Sequence, residues 1–550
     1  MARRSPSLPV ASPFGVLPAM RRETHFGDRI VRAFADRPHR LGQMFTAAVA
    51  AGGDREAIVC EGRRWSYSET DRIVGGFAAG LASAGVGHRD RVAMLIGNRP
   101  EFVFVLLAIE RLGAISVPIS IREQAPGIAY LLGRCGARLL LHDADLADRV
   151  PAADQLPAGC RSADVDLLAA PALEAVPDRP GTWHVAEGAV SEEDPAVILF
   201  TSGTTGRPKG AMLSHLNLVH SAMHFEFCMR LTRDDRSAMA VPASHVTGLV
   251  AMIVTMLRVG GTLVIVPAFR AADFLALAAA ERITHAILVP AMYNLCLLEP
   301  DLDRYDLTAW RIGAYGGAPM PRTTIEALSR RWPSLTAMNA YGATETTSPA
   351  TLMPAGLQAD RLDSVGIAVP TGELLVVDEM GREVPPGEPG ELLIGGPMVV
   401  AGYWDDTEAS AASFVGGFWR SGDLGRVDAD GFVQILDRRK DMLNRGGYKI
   451  YSVEVENVLA AVPGVIEAAV VGRPCPVLGE RVHAVVRVDA ALAATPERAR
   501  NRLSDYAGRM LADYKVPETW SIVEAPLPRN ANGKLMKRAL RPTAAPGRAD

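Results

Sequence analysis

The sequence predicts an α/β fold: a large N-terminal domain of mainly parallel sheets covered by helices, a small β-barrel-like subregion, and a small α+β C-terminal domain. Three observations carry this. From about Glu56 onward, short continuous apolar runs alternate with helical patterns, and strands that are apolar throughout belong to sheets covered on both faces. Past Gly366 the texture changes to strand pairs around Pro/Gly-rich turns. Beyond the charged run Asp437-Arg438-Arg439-Lys440-Asp441 a shorter α+β pattern follows.

In chain order, Ala57-Ile58-Val59-Cys60 and Arg64-Trp65-Ser66-Tyr67 read as a hairpin around Glu61-Gly62. Ser68 with Asp71 reads as a capping box for a helix carrying Ile73, Val74, Phe77 and Leu81. Val92 to Ile96 reads as a buried strand, and Pro100 opens a helix that Gly113 stops. Ile115-Ser116-Val117 and Leu139-Leu140-Leu141 continue the alternation, while the Ala/Pro/Asp-rich region from Asp143 to Asp194 reads as an irregular connection. Val197-Ile198-Leu199-Phe200 is another strand pattern, and a helix is expected from an N-cap at Ser214. Further strands are expected near 238–241, 262–266, 286–289, 311–315 and 336–339, with helices between them. Leu374 to Val377 and Glu391 to Ile394 begin the antiparallel subregion. The last part reads as a helix from Ser452, strands near 468–471 and 482–488, a helix from Pro496 and a polar tail.

With 550 residues the chain has room for more than one domain. A formal net charge of -4 argues against a protein that works mainly on nucleic-acid backbone. Six scattered cysteines without metal-like spacing read as reduced thiols, which fits a cytoplasmic protein. The longest apolar stretch, Val246 to Leu257, is too short to span a bilayer. Prolines interrupt any signal-peptide core at the start, and the Arg-rich, acid-poor segment up to Arg22 reads as a mobile extension, with a transit peptide as the less favoured alternative. Only six of the 58 basic residues are lysines, and Lys209, Lys440, Lys449 and Lys534 all fall in the stretches singled out next. A compact ammonium on a flexible stem does work that a flat guanidinium does not.

The most informative stretch is Phe200-Thr201-Ser202-Gly203-Thr204-Thr205-Gly206-Arg207-Pro208-Lys209-Gly210. Its glycines let backbone N–H groups approach a ligand, and its hydroxyls and Lys209 add donors and a positive charge, a combination suited to phosphate oxygens. It is not the common P-loop, because Lys209 is followed by Gly210 and not by Ser or Thr.

This stretch resembles the phosphate loop of the adenylate-forming enzymes, which include acyl-CoA synthetases, luciferases and peptide-synthetase adenylation domains; the chain is most like an acyl-CoA synthetase. The resemblance implies that Thr201, Ser202, Gly203, Thr204, Thr205, Gly206 and Lys209 hold ATP phosphates, Thr204 and Lys209 with catalytic roles. Asn339-Ala340-Tyr341-Gly342-Ala343-Thr344-Glu345 resembles the second signature, in which Tyr341 stacks on adenine, Thr344 meets the α-phosphate and Glu345 helps hold Mg²⁺; Asn339 and Gly342 belong to the same nucleotide contact. Gly316, Gly317 and Ala318 resemble the stretch lining adenine and the acyl group, and Asp423 and Arg438 resemble the ribose partners. Lys440 matches the hinge about which a small mobile C-terminal domain swings, giving an N-terminal extension over 1–40, an AMP-binding domain over 41–437 and a mobile domain over 438–550. Gly446 and Gly447 would leave passage for the pantetheine of coenzyme A, and Lys534 would bridge the substrate carboxylate and the α-phosphate. His245, Val246, Gly248 and Tyr341 would line the acyl pocket; His245 stands where peptide-synthetase domains carry an aspartate, which argues against an amino-acid substrate.

Read singly, a Tyr-Gly turn, a surface ion pair or a lysine in a polar tail is the ordinary meaning of several of these matches. Their order along one chain favours the resemblance. It implies an AMP-forming acid–thiol ligase that uses ATP, Mg²⁺ and coenzyme A on an apolar monocarboxylic acid, fatty, alicyclic or aromatic. The alternatives are an acyl-AMP ligase that loads a carrier protein, a luciferase-like oxygenase that would also consume oxygen, and a catalytically inactive nucleotide-binding scaffold. No nucleic acid or integral membrane segment is implied, and a homodimer is entertained for the assembly.

Overall fold

A computed structural model describes residues 11–168, 188–201, 208–529 and 535–541. The chain divides into two compact units. The first comprises Met1–Met320, Glu326–Leu374 and Leu393–Arg420; the second comprises Pro321–Ile325, Leu375–Leu392 and Ser421–Asp550.

Two sheets organise the first unit. One has the order Arg161–Asp164, Leu139–His142, Arg91–Leu95, Ile115–Pro118, Pro195–Thr201, Lys209–Ser214. Its first five strands run parallel and the last is antiparallel to its neighbour. The other has nine strands and a parallel centre, in which Arg236–Met239 lies between Thr262–Ile265 and His285–Leu288, followed by Ile312–Tyr315 and Thr336–Tyr341. Leu139–His142, Ile115–Pro118, Thr262–Ile265, His285–Leu288 and Ile312–Tyr315 are buried at every position, as expected for strands covered on both faces. The strand pairs expected past Gly366 are present as Glu373–Val377, Gly390–Gly395, Phe418–Val427 and Val433–Arg438. In the second unit, Val465–Cys475 and Gly479–Val488 form an antiparallel pair, Thr519–Val523 adds in parallel, and Val455, Leu459, Leu503 and Ala507 pack on them. This is the mixed α/β class that the apolar patterning predicts.

Several local expectations are corrected. The first helix after the hairpin is Tyr67–Ser83, capped by Ser66 and Glu69 and not by Ser68 and Asp71. Ser66 Oγ accepts from Glu69 N–H at 3.1 Å and Glu69 Oε2 accepts from Ser66 N–H at 2.7 Å; Asp71 instead meets Arg111. After the glycine-threonine stretch the chain first forms the strand Lys209–Ser214, pairing Lys209 with Thr201, before the helix His215–Met229 begins. Its N-cap is Ser214, as expected, in a capping box with Asn217.

The stretch from Met20 to Arg37 is not a loose extension. Met20–His25 and Arg29–Phe34 form an antiparallel hairpin, and Phe34 is fully buried with its ring stacked 5.6 Å from that of His220. Arg37 Nη2 lies 2.7 Å from Glu23 and 2.8 Å from Glu192. Glu23, His25 and Glu192 have the spacing of a metal site, but the Arg37 guanidinium already supplies the cation there. No helix among the described residues is long and apolar enough to cross a membrane.

Candidate active site

In an open α/β sheet, ligands bind beyond the carboxyl ends of the strands. The nine-stranded sheet places three of the singled-out stretches at such ends: 241–248 after Arg236–Met239, 316–318 after Ile312–Tyr315, and 339–345 at the end of Thr336–Tyr341. Tyr315 pairs in register with Asn339, so Gly316 comes against Ala340. A Cβ on Gly316 would fall 2.3 Å from the Ala340 carbonyl oxygen, closer than any side chain fits. Gly316→Ala should therefore splay the two strand ends, and nucleotide affinity measured by calorimetry should drop, while Gly381→Ala, at a turn with open space around it, should leave that affinity unchanged.

Gly248 is confined in the same way, with an added Cβ 2.2 Å from the Pro242 carbonyl oxygen. His245 is half-buried, and its Nδ1 lies 3.3 Å from both the hydroxyl and the backbone N–H of Thr247, so it is not an enclosed core histidine. Val246 is buried. From Thr247 to Val254 the chain is a π-helix, a wide turn that recurs at functional sites and that apolar periodicity did not reveal. The Thr255 hydroxyl donates to the Val250 carbonyl at 2.9 Å, supplying a partner for one acceptor of that turn.

Lys209 and Glu345 converge on a residue that the sequence reading did not single out. Tyr403 O–H donates to Glu345 Oε1 at 2.9 Å, and Lys209 Nζ lies 5.1 Å from the centre of the Tyr403 ring. Burial and the neighbouring Glu345 charge push the Tyr403 phenol well above its usual range, so it acts as a donor. The Ala211–Tyr403 bridge and the Trp404 N–H to Gly210 carbonyl bond of 2.7 Å hold this segment against the Lys209 strand. Glu345 is buried at the start of a tight turn, Thr344–Thr346, and is followed by Thr347 and Ser348 in left-handed backbone, a strained geometry typical of functional turns. Tyr341, Gly342 and Thr344 are half-buried on the same stretch. One oxygen is engaged by Tyr403, and among the described residues the other has no hydrogen-bond partner, which suits a hard cation that takes one carboxylate together with substrate phosphates.

In the second unit, Asp423 and Arg438 face each other across a strand pair, with Arg438 Nε 3.2 Å from Asp423 Oδ1. Asp423 is almost fully buried, and its N–H is capped by the Ser421 hydroxyl at 3.0 Å. Lys440 is exposed in the turn after Val433–Arg438, and its carbonyl accepts from Arg541 at 2.9 Å. Gly446 and Gly447 are exposed with positive φ, which glycine alone adopts freely. Ser202, Gly203, Thr204, Thr205, Gly206 and Lys534 lie outside the described residues.

The AMP-binding enzyme family model matches residues 45–404, and the AMP-binding enzyme C-terminal domain matches residues 454–534. The chain belongs to the AMP-binding enzymes. A feruloyl-CoA synthase from an Amycolatopsis species is 34% identical over 488 residues, covering 87% of this chain and 94% of the relative. An indoleacetate–CoA ligase from Aromatoleum aromaticum is 35% identical over 495 residues, covering 88% and 94%. Among solved structures, O-succinylbenzoate coenzyme A synthetase (MenE) from Bacillus subtilis, in complex with ATP and magnesium ion, superposes with a TM-score of 0.78 at 27% identity, covering 90% of this chain and 98% of that one. Membership bears out the resemblance drawn from the glycine-threonine stretch. In this AMP-binding enzyme the one sequence signal for Tyr403 was an aromatic pair, Tyr403-Trp404, after Gly402.

Proposed function

We propose that this AMP-binding enzyme is an ATP-dependent carboxylic acid–CoA ligase. The observation that carries the reading is the convergence of Lys209 and Glu345 on Tyr403, which sets a cation and a carboxylate on either side of one donor. In the first step the substrate carboxylate attacks the α-phosphorus of ATP, the bond to the bridging oxygen breaks, and pyrophosphate leaves as acyl-AMP forms. Lys209, Thr201 and the neighbouring hydroxyls bind the phosphates, and Lys534 offsets the repulsion between the two anions. Glu345 would hold Mg²⁺, which when bound neutralises phosphate charge. Asp423 and Arg438 hold the ribose, and Gly316 lets adenine lie flat against the backbone beside Tyr341.

In the second step the C-terminal domain turns about Lys440, and the coenzyme A thiol, entering past Gly446 and Gly447, attacks the acyl carbonyl. The thioester bond forms, AMP leaves, and the thiol proton passes to the medium. Keeping acyl-AMP from water limits wasteful hydrolysis. The acyl group is apolar: Val246 and the run after Thr247 supply aliphatic surface, and no arginine or lysine accompanies them until Arg258. The named acids of the two relatives, ferulic and indoleacetic, support this. A buried methylene contributes about 0.8 kcal/mol, so acids of neighbouring size should be poorly separated.

Pyrophosphate release from a panel of fatty, alicyclic and aryl acids, with and without coenzyme A, tests the reading. Adenylate should form with at least one apolar acid, and acyl-CoA should accumulate when the thiol is added. Adenylate that transfers only to a carrier protein would replace coenzyme A as the acceptor. Nucleotide binding without pyrophosphate would favour the inactive scaffold.

A further inference from the structure

The N-terminal hairpin precedes the family-matched region, which begins at residue 45, yet it reaches the candidate centre. Arg29, the first residue of the second strand, donates from Nη1 to the Val400 carbonyl at 2.9 Å and from Nη2 to the Ala401 carbonyl at 2.8 Å. Its guanidinium lies 5.5 Å from the ring centre of Phe26 and 5.7 Å from that of Phe414. The peptide it grips is also held from the other side, because Val400 N–H donates to the Glu345 carbonyl at 3.0 Å. Soon after it comes Tyr403, whose hydroxyl is on Glu345 Oε1 and whose ring lies beneath Lys209 Nζ.

We propose that Arg29 is a positioning residue for the nucleotide-activating centre: its fork fixes the 400–401 backbone and thereby seats the Tyr403 hydroxyl on Glu345. The inference rests on the reading of Glu345 as the carboxylate that holds magnesium. Arginine suits the task because two parallel N–H groups match two successive carbonyls, which a lysine point charge cannot do. The hairpin does not need Arg29 to stay docked. Phe34 is fully buried, and Arg37 is clamped between Glu23 and Glu192. Arg29 is therefore free for a role beyond tethering.

The test is a double-variant cycle in the full-length enzyme, reading pyrophosphate release against Mg²⁺ and ATP concentration. Groups that orient a metal ligand typically matter 10- to 100-fold, so R29M should raise the Mg²⁺ and ATP requirement or lower kcat/KM by about that factor, with R29K in between. Y403F should produce a similar loss, and R29M/Y403F should be little worse than Y403F alone, because both changes act through one contact. Wild-type Mg²⁺ and ATP dependence in R29M, or losses that multiply in the double variant, would overturn the inference. Should R29M fail to fold, the R29K and R29K/Y403F pair reads the same coupling. Absence of pyrophosphate from the wild type with every acid tested is a different result, which sinks the functional reading itself and the inference with it.

Discussion

Lys534→Ala should abolish acyl-AMP formation and leave intact the conversion of supplied acyl-AMP to thioester. In the first step two anions, a carboxylate and a phosphate, must approach each other, and a positive charge fixed between them acts mainly on the charge that develops in flight. Removing one such preorganised donor typically costs about 10²–10³-fold in rate, and a full charge between two anions belongs at or beyond the upper end. The thiol step involves no such approach, so the lysine is not needed there. The chain on either side is anchored independently of that side chain. Arg529 and Leu535 form a backbone bridge, Met536 N–H donates to the Pro528 carbonyl at 2.8 Å, and Lys537 Nζ lies 2.6 Å from Glu456. The loss should therefore be chemical and not structural. Separate assays of pyrophosphate release and of thioester formation from synthetic acyl-AMP decide it; equal damage to both would remove Lys534 from its assigned role.

The second large effect is on stability. The first unit should weaken steeply as pH falls below about 6.5, the ordinary histidine range. Burial holds His215 down to about 4, His220 to about 3 and His285 to about 4, and lowers His224 well below its usual value. The hydrogen bonds agree with neutral rings. His220 Nε2 accepts from Phe34 N–H at 3.2 Å and His215 Nδ1 from Leu41 N–H at 3.3 Å, which requires a free lone pair. His224 Nδ1 and His285 Nε2 have no partner among the described residues, so a second ring proton would be buried unsatisfied.

The sign follows from linkage. These folded pKa values lie below the unfolded value, so the stability is present above pH 6.5 and is lost as pH falls toward the folded values. Each histidine contributes about 1.4 kcal/mol per pH unit, and four together about 5 kcal/mol per unit, comparable with the whole stability of many domains. Glu456, raised by burial to about 7, has the opposite sign, gaining stability as pH falls from 7 toward 4.5, but it belongs to the second unit; in the first unit burial raises Glu110 and Glu226, which oppose the four histidines in part. Thermal unfolding at pH 7.5, 6.5 and 5.5 should show the first unit failing first, and H220Q should flatten the slope by about one proton. A melting temperature unchanged over that range would refute the neutral-histidine account.

How much of this was legible in the sequence depends on how local the cause is. The Ser214 cap and the all-apolar parallel strands follow from side-chain chemistry within a few residues, and they were readable. The strand Lys209–Ser214 was not, because its pairing partner, Pro195–Thr201, sets it and no apolar alternation announces it. Tyr403 escaped because its meaning lies in Glu345 and Lys209, both far away along the chain. The π-helix escaped because Thr247 to Val254 is apolar nearly throughout and carries no period to distinguish one helix type from another. The stretch from Met20 to Arg37 was misread for a related reason. Arginines and prolines look like solvent-facing composition, whereas Phe34 and Arg37 take their roles from Glu192 and His220.

That last feature bears on where the gene can be cut. Trimming the protein to the boundary where family similarity starts, residue 45, would delete Phe34 and Arg37 together. The flat face of His220 would be laid bare, and the Glu192 carboxylate would lose its guanidinium. Anyone shortening this enzyme for expression should begin upstream of Met20 and treat the opening ribbon as part of the packed body, not as packaging.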